Sequence, residues 1–129
     1  MRKNYLHLYE GEKYINTPTI LGLALRAIGA GKSVLYCSFS ENQNFIIAAK
    51  MSKKMSNFNA ILINSLDDIN ASDVDMLIID ICDKEIIIAH EFIAYNIKKC
   101  ELILANPFFE QEIKDTAHLI TSTKDAKGR

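Results

Sequence analysis

The sequence predicts an α/β domain, a mainly parallel sheet of about five strands with helices on both faces. Three observations carry that expectation. Short apolar runs alternate with longer helical stretches along the chain, the pattern of successive βαβ units. The run from Asp75 to Ile81 (DMLIIDI) is apolar enough for the centre of a sheet covered on both faces. The length of 129 residues, with 49% hydrophobic and 24% charged, suits one globular domain with one core, spanning residues 1–129.

Taken in order, Tyr5 to Tyr9 (YLHLY) is a short strand that ends at Glu10 and Gly11. A helix then opens at Asn16, Thr17 and Pro18. Thr17 or Asn16 serves as its cap, and Pro18 suits the first helical position, where its missing N–H is no loss. The helix runs to about Ala30 and stops at Gly29-Ala30-Gly31. It is apolar on nearly every face, so it should be largely buried. Ser33 to Phe39 is the second strand, and Glu41 to Met55 an amphipathic helix. Ala60 to Asn64 is the third strand, and Leu66 to Val74 reads as a polar loop. The central run Asp75 to Ile81 is the fourth strand. Asp83 to Lys99 is a helix, and Glu101 to Ala105 the fifth strand. A short helix follows Pro107, and His118 to Thr121 forms a last edge strand.

Charge and composition exclude several function classes. The formal net charge is −1, which gives no electrostatic reason to expect nucleic acid or an anionic membrane. Lys124, Lys127 and Arg129 read as a solvated tail. No apolar stretch reaches membrane-spanning length, and Met1 to Tyr9 lacks the apolar core of a secretory signal, so a cytoplasmic protein is expected. The three cysteines, Cys37, Cys82 and Cys100, have neither metal-ligand nor redox spacing and read as core thiols of a reducing compartment. His7, His90 and His118 are distant in sequence and on different elements, so no metal site is expected from them.

Gly29-Ala30-Gly31-Lys32-Ser33 ends like a phosphate-binding loop, but its context is wrong. Such a loop follows a strand and opens a helix, so that the helix N-terminus faces the phosphates. Here the glycines follow a helix and lead into a strand. They are read as a helix cap and turn.

The position that a phosphate loop would occupy is Gly11 to Thr17. The sequence from there, YEGEKYINTPTILGLALRAIGAGKSV followed by LYCSF, resembles the P-loop corrinoid adenosyltransferases, which transfer the 5′-deoxyadenosyl group of ATP to cob(I)alamin. That family reads Y-T-G-x-G-K-G-K-T-T-A-A-x-G-x-A-L-R-A-x-G-x-G-x-x-V, then a strand ending Q-F. Tyr9, Gly11, Thr17, Gly22, Ala24, Leu25, Arg26, Ala27, Gly29, Gly31 and Val34 fall on the pattern without a gap, and Phe39 ends the strand. DMLIID, closing on Asp80, resembles the family's D-L-V-I-L-D-E. ELILANPFFEQEIKDTAHLITSTKDAK resembles its E-V-V-L-T-G-R…A-D-L-V-T-E-M-x-x-x-K. The resemblance implies a P-loop, RecA-like sheet. It marks Gly11, Lys13, Asn16, Thr17, Arg26 and Asp80 as nucleotide-binding vestiges, with Thr17 and Asp80 as the positions for Mg²⁺.

The departures fall on the charged positions. A phosphate loop needs glycines that let backbone N–H groups converge on an anion, with a lysine as point charge. Lys13 replaces the second family glycine, Tyr14 a lysine, Ile15 the third glycine, Asn16 the phosphate-contacting lysine and Pro18 the second threonine. Ile15 resists positive φ, and Pro18 deletes a backbone donor. Ile81 stands where the family has glutamate. Ala105-Asn106-Pro107 replaces T-G-R, Ser122 the acid of V-T-E, His118 the aspartate before it, and Glu41 the lysine of Q-F-x-K. Arg26 is either a nucleotide contact or half of a structural ion pair, with Asp80 as the candidate partner.

The resulting expectation is a degenerate corrinoid adenosyltransferase-like protein without ordinary ATP-dependent catalysis. It would act as a ligand-binding or interaction module, with a corrinoid or a nucleotide as the small-molecule ligand, and the family's dimers make a homodimer an expectation by resemblance. The alternatives are an active adenosyltransferase using Mg-ATP and a corrinoid, and a non-catalytic subunit that pairs with a complete paralogue.

Overall fold

The computed structural model describes residues 5–11, 17–70, 73–81 and 88–122. The strands are β1 (Leu6–Glu10), β2 (Val34–Ser38), β3 (Phe58–Leu62), β4 (Met76–Asp80), β5 (Glu101–Asn106) and β6 (Leu119–Ser122). The helices are α1 (Thr17–Gly29), α2 (Gln43–Lys54), α3 (His90–Ile97) and α4 (Gln111–Thr116), with a single 3₁₀ turn at Leu66–Asp68. All strand pairs are parallel, in the order β3-β2-β4-β5-β1-β6. The α/β fold class is as expected. The sheet has six strands, because the last apolar run pairs with β1 from His7↔Leu119 to Glu10↔Ser122.

Alternation along each strand builds two cores. Leu6, Leu8, Cys37, Leu77, Ile79, Leu102 and Leu104 face one side, where Ile93 of α3 and Ile113 of α4 cover them. Val34, Tyr36, Met76, Ile78, Ile103 and Ala105 face the other, under Ile20, Ala24 and Ala27 of α1 and Ala48 of α2. The middle strands β2 and β4 are buried along their whole length, as strands covered on both faces must be.

The helix-to-strand glycines form a Schellman cap. Gly31 N–H donates to Ile28 O at 2.9 Å and Lys32 N–H to Ala27 O at 3.0 Å, with Gly31 at φ +86°. This segment closes a helix C-terminus and presents no N–H cradle to an anion. Below it, Ser33 and Asp75 lock the starts of β2 and β4 together. Ser33 N–H donates to Asp75 Oδ2 at 2.9 Å, and Asp75 N–H donates to Ser33 O at 3.0 Å.

Some element expectations are corrected. The third strand starts at Phe58, where a fully buried phenyl pairs with Val34 in register. Ile88 and Ala89 are not helical; Ala89 is extended at φ −71°, ψ 145°, and α3 starts at His90. The rest of the expected helix start, residues 83–87, and Cys82 lie outside the described residues. α1 is buried on one side only. Ile20, Leu21, Ala24 and Ala27 face the sheet, while Leu25 and Arg26 are exposed. Apolar composition misleads here because, among the described residues, no further layer packs over the outer side of the helix.

Among the described residues no helix is long and apolar enough to cross a membrane. No group of His, Cys, Asp and Glu among them could hold a metal ion. Two histidines take part in the β1–β6 pairing, each with its own partner. His118 Nδ1 accepts from Leu6 N–H at 3.0 Å, and His7 Nε2 lies 3.0 Å from Thr121 Oγ1. These contacts tie the edge strand on; burial pushes the His7 imidazole pKa down.

Candidate functional site

In parallel sheets the strand C-termini share one edge, and loops leaving in opposite directions open a crevice between them. β1 leads to α1 on one face, and its neighbour β5 leads to α4 on the other. The described groups at this edge include Glu10 and Gly11, Thr17, Ser38 to Asn44, Asp80 and Ile81, and Asn106 to Phe109.

Asp80 ends β4 beside Ser38 and Ala105 in register. It is only 2% exposed, and Tyr36, two residues before Ser38 and on the same face, donates its phenol O–H to Asp80 Oδ2 at 2.6 Å. Strand alternation puts Tyr36 and Asp80 on the α1 side. The next residue, Ile81, points the other way. It is fully buried among the α3- and α4-side residues, and its N–H donates to Ala105 O at 2.8 Å. The position where the resemblance places a glutamate is therefore hydrocarbon packed in hydrocarbon.

Glu10, on the α4 side, is committed to structure. Its Oε1 lies 2.9 Å from Lys114 Nζ, and its Oε2 accepts from Phe109 N–H at 2.9 Å. The carboxylate fastens both the β5–α4 turn and α4 itself to the end of β1. Asn106 closes the same turn, since its Nδ2 donates to Phe108 O at 2.8 Å and its backbone O accepts from Gly11 N–H at 3.3 Å. The β2–α2 turn is closed by Asn42, whose Oδ1 accepts from Phe45 N–H at 2.8 Å as the cap of α2. Ser38 Oγ donates to Ser40 O at 2.9 Å.

Of the residues that the sequence singles out, Gly11, Thr17 and Asp80 share this edge, because Gly11 leaves β1 and Thr17 opens α1. Lys13 and Asn16, together with Tyr14 and Ile15, lie outside the described residues. Arg26 does not join them. It stands in the last turn of α1, about 13 Å along the helix axis from Thr17 at 1.5 Å per residue, towards the turn that starts β2. Arg26 is exposed while Asp80 is buried against Tyr36, so the Arg26–Asp80 ion pair, one of the two readings of Arg26, does not form. The Arg26 charge acts instead on Tyr9, whose phenol burial pushes up and Arg26 partly draws back. Tyr36, Glu10 and Asn106 are edge residues that the sequence reading did not select. The signal for Tyr36 is strand register alone: alternation puts it, with Ser38, on the face of Asp80, and its phenol is the hydroxyl that bonds the carboxylate.

No protein-family model matches this chain, and no curated protein matches it.

Chemically, the described edge offers acceptors. Of the described carboxylates there, Glu10 and Asp80 are held by protein donors, Glu41 is exposed, and Lys114 is held by Glu10. The arrangement can position neutral polar groups. Among the described residues it brings no cation and metal-binding carboxylate together, which transfer from a polyphosphate would require. A separate cavity of about 250 Å³ lies on the α3 side, lined by Leu66, Ile69, Phe92, Tyr95, Asn96 and Lys99 among others. Lys99 Nζ sits 2.7 Å from Tyr95 Oη and 4.3 Å from its ring centroid, so this cation is also engaged locally.

Proposed function

We propose that this protein is a ligand-binding or interaction module related to the corrinoid adenosyltransferases, one that has kept the sheet and lost ATP-dependent catalysis. The observation that carries the reading is Ile81. A fully buried isoleucine follows Asp80 where the resemblance places a carboxylate, and the one buried carboxylate of that strand end is bonded to Tyr36. Displacement at the ribose 5′-carbon of ATP would release a polyphosphate, whose charge needs donors, cations and bound metal. Loss of one such donor is typically worth about 10²–10³ in rate, so several losses abolish turnover. The ligand class is a corrinoid or a nucleotide held at the C-terminal edge of the sheet.

The test is a pair of measurements on the whole chain. A thermal-shift screen with MgATP, ADP, cobalamin and cobinamide should raise the melting temperature for at least one ligand, because a ligand that binds only the folded state stabilises it by mass action. Incubation with ATP, Mg²⁺ and chemically reduced cobalamin should give no adenosylcobalamin. Turnover at the rate of a complete adenosyltransferase would overturn the reading, and so would the absence of any shift across the screen.

A further inference from the structure

Two buried side-chain atoms among the described residues lack a hydrogen-bond partner: Asn44 Nδ2 and Asn106 Oδ1. Both belong to the C-terminal edge of the sheet. Asn44 is in the first turn of α2, which leaves β2 there, and Asn106 is the last residue of β5. Unpaired buried polar groups are uncommon, and each calls for an explanation. That both fall where open α/β sheets take their ligands is the first part of one.

Asn106 is the more informative. It is 8% exposed, so its amide is nine-tenths buried. Its orientation is fixed, because Nδ2 donates to Phe108 O at 2.8 Å; the unpaired atom is thus the acceptor oxygen. Its backbone O holds Gly11 N–H, which puts it beside the first residue leaving β1, in the β1/β5 crevice. Phe108, on the same turn, is 68% exposed, more than any other large apolar side chain described. The nearest acid in register is Glu10, whose lysine partner is already committed. An acceptor beside a carboxylate disfavours phosphate oxygens and favours a group that brings its own hydrogen.

We infer that Asn106 Oδ1 is a ligand contact, accepting a hydrogen bond from an amide N–H or hydroxyl of a neutral ligand group, with Phe108 against the ligand's apolar surface. This rests on the ligand-binding reading above and deepens it: the crevice recognises donors, and phosphate is not its anchor.

Calorimetric titration of the whole protein and its variants tests this with two probes. Cobinamide carries amide and hydroxyl donors, and inorganic triphosphate carries only anionic oxygens. Cobinamide should bind the unmodified protein, and Asn106→Leu should weaken it about tenfold, the loss of one hydrogen bond in a closed site. Asn106→Asp keeps an acceptor but loses the bond to Phe108 O and adds charge beside Glu10, so it should bind cobinamide less tightly than the unmodified protein and more tightly than Asn106→Leu. Triphosphate should not bind. The melting temperatures of the free variants establish that they fold. Equal cobinamide affinity in Asn106→Leu, weaker binding in a folded Asn106→Asp than in Asn106→Leu, or binding of triphosphate or MgATP without cobinamide would overturn the inference and leave the broader reading standing. No binding of cobinamide, cobalamin or nucleotide would end both.

Discussion

Ile81→Glu would put back the carboxylate that the adenosyltransferase pattern carries, and the structure predicts that the fold will not accept it. The isoleucine is fully buried on the α3 and α4 side of the sheet. Removing its apolar surface forfeits about 1.5–3 kcal/mol. Placing a carboxyl group there without a designed partner adds about 1–3 kcal/mol on the scale of protein mutational data. The sum, about 3–6 kcal/mol, is a large part of the roughly 5–15 kcal/mol that holds a domain of this size together. Burial would raise the pKa of the introduced carboxyl above its unfolded value of about 4.3. The folded state then binds more protons than the unfolded one, so the variant's stability falls as pH rises from that value towards the raised folded pKa. Urea denaturation at about pH 5 and about pH 8 reads both effects, and the deficit should be larger at the higher pH. A loss below about 1 kcal/mol, equal at the two pH values, would mean that this position opens to the crevice. The account of the lost carboxylate as core would then be wrong.

Tyr36→Phe leaves Asp80 buried without the phenol donor 2.6 Å away and should cost about 1.5–3 kcal/mol in urea denaturation; a neutral result would show that the pair contributes nothing to the fold. Gly31→Ala tests backbone conformation alone, since no atom lies within 4 Å of the added methyl while φ is +86°; it should lower stability by about 1–2 kcal/mol, and an unchanged denaturation midpoint would contradict the Schellman cap. Burial pushes the thiol pKa up to about 12 at Cys37 and about 11 at Cys100. Neither should react with iodoacetamide in the native protein at about pH 8, and both should react once it is unfolded, as read by peptide mass mapping; rapid native labelling of Cys37 would refute its burial.

The alternation of apolar runs with helices was enough to read the fold class, because each strand carries its own burial pattern and each helix its own stop. Gly29-Ala30-Gly31 could be read correctly as a cap from local context alone. Pairing and register could not be read, and the edge depends on them. Tyr36 meets Asp80 only because β2 and β4 are neighbours with Ser38 opposite Asp80. Glu10 meets Lys114 across a sequence gap that no local pattern bridges. Arg26 went astray for the opposite reason. Its apolar neighbours suggested burial, but helix burial follows which side meets the sheet, and Arg26 and Leu25 lie on the other side.

The same distinction decides how much weight the adenosyltransferase resemblance carries. Its most specific stretch is ALRAIGAG. Within it, Ala24 and Ala27 are buried against the sheet, where small side chains let the helix approach, and Gly31 supplies the positive φ that the turn into β2 requires. Any α/β domain with this helix-to-strand turn meets those demands, so these matches speak to the fold. Leu25 and Arg26 are different. Both are exposed, and packing asks for neither residue type. They are the matches that shared architecture alone does not explain, so the case for a chemical relationship to the adenosyltransferases rests on them more than on the buried alanines. Arg26→Ala separates the two. On an exposed helix position it should change stability by less than about 0.5 kcal/mol. If Arg26 retains a ligand role from that relationship, the same substitution will weaken the binding of whichever probe the unmodified protein accepts. If affinity and stability are both unchanged, Arg26 is an exposed residue with no ligand role, and the resemblance in this stretch reduces to a shared fold.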